Sequence, residues 1–63
     1  MNDRDIWTID AMEQFGGSFV KAIGAAARMA DGFNLRLIKH TWPEYWAEYE
    51  KRGIELEAEE STT

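Results

Sequence analysis

The sequence predicts an all-α protein, an antiparallel helical hairpin completed as a homodimeric helical bundle. Three observations lead there. Apolar residues recur at helical spacing over 5–30 and again over 34–52, a short turn at Asp31-Gly32-Phe33 separates the two stretches, and the apolar surface exceeds what two helices can cover. Short connections between helices make antiparallel neighbours, so the second stretch is expected to fold back along the first.

The first helix is expected from about Asp5 to Ala30. At about 100° per residue, Met12, Phe15, Phe19, Ala22, Ile23, Ala26 and Ala30 fall in one arc, with Asp10, Glu13, Gln14, Gly17, Lys21, Gly24 and Arg28 opposite. The phase carries through Gly16-Gly17, which argues for one helix bent at the glycines rather than two short ones. Asn2, Asp3 and Asp5 are competent N-caps, with Thr8 an alternative, and acids in the first turn suit the helix dipole. Gly17, Lys21, Gly24 and Arg28 form a thin basic stripe fit for an acidic segment such as a neighbour's tail.

In the second helix Leu35, Ile38, Trp42, Tyr45, Trp46 and Tyr49 form the apolar stripe. Pro43 removes one backbone hydrogen bond, so the helix kinks or restarts there; Thr41-Trp42-Pro43-Glu44 reads as a capping box with proline in the first turn and favours a restart. Gly32 is suited to a left-handed turn, and Asp31 or Asn34 to capping the second helix. Folding back pairs Ala22 with Trp42, Ala26 with Ile38, Phe19 with Tyr45 and Phe15 with Tyr49, small against large. The expected hairpin core is therefore Met12, Phe15, Phe19, Ala22, Ala26, Leu35, Ile38, Trp42, Tyr45 and Tyr49. Trp7, Val20, Ile23, Ala27 and Trp46 are left over and are assigned to an intersubunit surface. Gly53 reads as a C-cap closing a domain of residues 1–53, and the acidic stretch 54–63 as a disordered tail with at most a turn of helix at Glu55 to Ala58.

Composition narrows the function. A chain of 63 residues buries only about 60% of its unfolded surface, which leaves stability marginal. It has no cysteine, so no disulfide can compensate, and the lone His40 cannot build a zinc site. A partner subunit is the remaining remedy. The net charge is −5, but Glu55, Glu57, Glu59 and Glu60 supply four of the twelve acids, and the eight others face seven bases, so 1–53 is nearly neutral. Trp42, Tyr45, Trp46 and Tyr49 resemble a base-stacking platform only until Glu44, Glu48 and Glu50 are counted among them; direct nucleic-acid binding is not expected. His40 with Glu44, and Glu44 with Glu48, stand at i, i+4, yet no second acid cluster or electrophile binder completes an active site. No catalytic, cofactor or metal residue is assigned. No stretch approaches the roughly 18–20 apolar residues of a membrane span, and MNDRDIW lacks the basic start and apolar core of a signal peptide. A cytoplasmic protein is expected.

At FGGSFVKA, residues 15–22, and TWPEYWAEYE, residues 41–50, the chain resembles a group of small helical proteins encoded in bacteriophage and prophage genomes. The likeness spans roughly residues 5–52. It implies a phage or prophage origin and a setting in the cytoplasm of an infected bacterium, and it carries over no catalytic or ligand residue. The function expected is a non-enzymatic protein–protein interaction module that self-associates, with inhibition of a host or antiviral-defence protein through acidic nucleic-acid mimicry as the alternative.

Overall fold

The computed structural model describes residues 1–61, in which four helices follow one another: α1 Asp3–Phe15, α2 Ser18–Met29, α3 Gly32–Thr41 and α4 Pro43–Ser61. The described residues are all-helical, with four helices in place of the two expected. A single helix over 5–30 would be about 39 Å long at 1.5 Å per residue, longer than the 33 Å of the molecule's greatest extent.

The break that matters most is at Gly16-Gly17. Both residues are extended, with ψ of 158° and −175°, so the helical phase is lost and α2 turns back on α1. Neither glycine has positive φ; Gly16 is needed instead for closeness. A Cβ there would stand 2.6 Å from the Met12 carbonyl oxygen and 2.6 Å from Val20 Cγ1. Further along the same pair, a Cβ on Gly24 would meet Met12 Cβ at 3.0 Å. Small residues set how closely the helices lie.

Asn2 caps α1, its Oδ1 accepting from Asp5 N at 2.8 Å, and Asp31 caps α3 by accepting from Asn34 N at 2.8 Å. Gly32 is the first residue of α3 rather than a left-handed turn. At Pro43 the chain restarts. Trp42 N–H closes α3 on the Ile38 carbonyl, and the Trp42 carbonyl opens α4 by accepting from Trp46 N, each at 3.0 Å.

α1 lies at the centre, packed most extensively against α4 and next against α2. It buries Asp5, Thr8, Ile9, Ala11 and Met12, and the core continues through Val20, Ile23, Ala27, Leu35, Trp46, Tyr49 and Leu56. Among the described residues no buried side-chain nitrogen or oxygen lacks a hydrogen-bond partner. Buried Thr8 donates from Oγ1 to the Arg4 carbonyl at 2.8 Å. Lys39 donates to the buried Asp5 carboxylate at 3.0 Å while its ammonium lies 5.2 Å from the Trp46 ring centre, tying α3 to α1 and α4.

Gly53 is not a C-cap. It is buried inside α4, against the backbone of Trp7 and Thr8. The acidic stretch beyond it continues the helix to Ser61, with Ile54 exposed and Leu56 buried one turn past Gly53; residues 62–63 lie outside the described residues. Glutamate is a good helix former, and one buried leucine anchors the turn.

Candidate interaction surface

The assignment of inward and outward faces is largely exchanged on α2 and on the aromatic residues beside it. Of the expected core, Met12, Leu35 and Tyr49 are buried, and Ile38 and Trp42 are half-buried. Phe15, Phe19, Ala22, Ala26 and Tyr45 are exposed. Of the expected intersubunit set, Val20, Ile23, Ala27 and Trp46 are buried within the chain and Trp7 is half-buried. The cause is the reset at Gly16-Gly17. A stripe carried in phase from Met12 points Phe19, Ala22 and Ala26 inward, whereas the restarted helix turns Val20, Ile23, Gly24 and Ala27 to α1.

Part of the apolar surface that the core leaves outside is an aromatic strip. Phe19 is 56% exposed, Phe15 47% and Tyr45 37%. The Phe19 ring meets Trp42 edge-on, with centroids 5.8 Å apart and planes at 81°, and tilts against Tyr45 at 6.1 Å. Edge-to-face rings attract one another through their quadrupoles, so the strip holds a shape of its own. Arg52 closes the far end, its guanidinium carbon 5.4 Å from the Phe15 ring centre and 5.8 Å from that of Tyr49. Of the expected pairs, Phe19 and Tyr45 do meet, but both are exposed; Phe15 and Tyr49 share Arg52, with Phe15 on the surface and Tyr49 in the core.

The C-terminal half of the basic stripe on α2, Gly24 and Arg28, is occupied from within. Arg28 donates from Nε and Nη2 to Glu13 at 3.1 and 2.6 Å and from Nη2 also to Asp10. These carboxylates raise its pKa above the ordinary arginine value, Glu13 contributing most. Gly24 is covered by Met12 and Glu13. Gly17 and Lys21, the other half of the stripe, are exposed.

The outer side of α3 carries an open concavity of about 590 Å³ lined by Phe33, Arg36, Leu37, Lys39 and His40. All five belong to one helix, so this is its solvent side and not an enclosed site. His40 is exposed in the last turn of α3 and Glu44 in the first turn of α4. Among the described residues no three His, Cys, Asp or Glu side chains converge to hold a metal, and no helix is long and apolar enough to cross a membrane.

Sequence reasoning missed Arg52 as a surface partner of the rings, although its spacing of three from Tyr49 and seven from Tyr45 was a signal. Leu37, 48% exposed, stands off the Leu35–Ile38 stripe and passed unremarked for that reason. With the geometry in hand, no protein-family model matches this chain, nor does any curated protein or solved structure.

Proposed function

We propose that the chain is a small, non-enzymatic protein–protein interaction module of phage or prophage origin, acting in the cytoplasm and associating with its own copies through apolar helix surface. The observation that supports this is the strip of Phe15, Phe19, Trp42 and Tyr45. Three of its rings are more than a third exposed; Phe19 is packed against Trp42 and Tyr45, and Phe15 lies under Arg52. Contiguous exposed aromatic surface on a small domain is the usual mark of a contact site, and aromatic residues dominate such contacts.

Sedimentation equilibrium from 10 μM to 1 mM (roughly the range of weak dimers) tests it. The weight-average mass should rise from 7.3 kDa toward twice that value, and Phe19→Ala should shift the rise to higher concentration without altering the helical signal. A single 7.3 kDa species throughout overturns self-association.

A second reading, inhibition of a host or defence protein by acidic nucleic-acid mimicry, draws on Glu44, Glu48 and Glu55, all exposed on one side of α4. It predicts salt-sensitive capture of a nucleic-acid-handling protein that added DNA displaces. Capture indifferent to DNA would count against it.

A further inference from the structure

α4 presents Glu44, Glu48 and Arg52 at steps of four, a single ridge along the helix, and all three are exposed. The ridge runs beside Tyr45, with Phe19 and Phe15 next to it and Arg52 held against Phe15. Residues four apart are separated by about 6 Å along a helix axis. From N to C the ridge is acid, acid, base, and Glu55 follows on the same side; about an axis at Glu48 it falls opposite the uncharged position 41.

Laid against its own copy in the opposite sense, about a two-fold axis at Glu48, the ridge sets Arg52 opposite the partner's Glu44 and Glu44 opposite the partner's Arg52. Both pairs are attractive, and one operation creates both, as an isologous contact requires. We infer that a second copy of this chain docks here, α4 antiparallel to α4, with Phe15, Phe19 and Tyr45 packed across the same axis. The inference rests on the self-association reading above and specifies its geometry.

The available area fits a weak dimer. At roughly 200 Å² per aromatic side chain, exposures of 47%, 56% and 37% leave roughly 280 Å² of ring surface uncovered. A standard contact covers about 800 Å² on each partner. The rings therefore furnish about a third of it, with the α4 ridge and exposed Ala22 and Ala26 beside them. Arg52 is already held by two rings, so little side-chain freedom is lost when a carboxylate meets it. At the axis Glu48 faces the partner's Glu48, a like-charge contact that weakens the dimer.

Charge reversal tests the register. By sedimentation equilibrium of the full chain at 0.1 M salt, Arg52→Glu and Glu44→Arg should each weaken association at least tenfold, since each sets like charges together twice. An equimolar mixture of the two variants should recover it, because both cross-pairs are again opposite, and so should the double variant E44R/R52E. Glu48→Gln should tighten the dimer several-fold. If the mixture and the double variant stay as weak as the single variants while Phe19→Ala still weakens the wild type, this register is overturned and the aromatic reading stands. If the wild type does not associate at all, both fall. Should Arg52→Glu fail to fold by circular dichroism, Glu44→Arg carries the test. Wild type, an equimolar mixture with wild type, and the pure variant should then associate in falling order, and equal association across the three overturns the proposal.

Discussion

A methyl group on Gly53 would come within 2.7 Å of the Trp7 carbonyl carbon and oxygen and 2.9 Å of Thr8 N. All of these are backbone atoms, so no rotamer change relieves the clash, and α4 itself would have to move. Alanine is the better helix former by about 1 kcal/mol, yet overpacking of a close contact costs typically 1–3 kcal/mol. Gly53→Ala is therefore expected to lower the free energy of unfolding by up to about 2 kcal/mol, read from the urea midpoint. A raised midpoint would mean that α4 rides farther from α1. Local chemistry at this scale was partly legible. Asn2 and Asp31 cap as such residues do anywhere, because the donor they satisfy is only three residues away. Gly53 was not legible, because the reason for a glycine there is the backbone of Trp7, far off in the chain.

At the scale of elements, the last two turns of α4 separate a packed helix from a free tail. Leu56 is buried with the core, so Leu56→Ala should destabilise by about 2 kcal/mol, the lower end for a core leucine because at 9% exposure it is the least covered of the core residues. A change within about 0.5 kcal/mol, the range of ordinary surface substitutions, would return residues 54–61 to the status of a tail. The start of α2 offers the opposite sign. Gly17 occupies the N-cap with extended backbone and makes no side-chain hydrogen bond there, and a Cβ at Gly17 meets nothing within 4 Å. Gly17→Asp should therefore raise stability by a few tenths to 1 kcal/mol, by capping the free N–H groups and by placing negative charge at the dipole's positive end. Thermal unfolding would show it as a higher midpoint; a lower one would place the start of α2 elsewhere. The break at Gly16-Gly17 could not be read from periodicity, since Phe15 and Phe19 keep a helical step of four whether or not the helix continues between them.

For the whole molecule, the exposed rings and the marginal size of the core point the same way. A protein stabilised by its own copies unfolds at a temperature that depends on how many copies surround it. The thermal midpoint is expected to climb by several degrees between 5 μM and 500 μM chain (roughly a 100-fold span, about 2.7 kcal/mol of mass action at most). Phe19→Ala should flatten that dependence without abolishing folding, because Phe19 is largely outside the core. A midpoint independent of concentration in the wild type would leave the aromatic strip without a second copy to cover it.

Residue chemistry within a turn or two of itself determined the helical class, and it narrowed the first cap to a few residues that include Asn2, the second to Asp31 or Asn34, and the break at Pro43 to a kink or a restart, because a missing N–H interrupts the helix in any fold. Which faces turn inward was decided only by tertiary packing. Helices approach through their smallest residues, Gly16, Gly24, Ala27 and Gly53, and along α1 and α2 this close approach ranks above the burial of Phe15 and Phe19. Phe15, Phe19 and Tyr45 consequently stand outside, at positions where a hydrophobicity pattern alone would have placed them within.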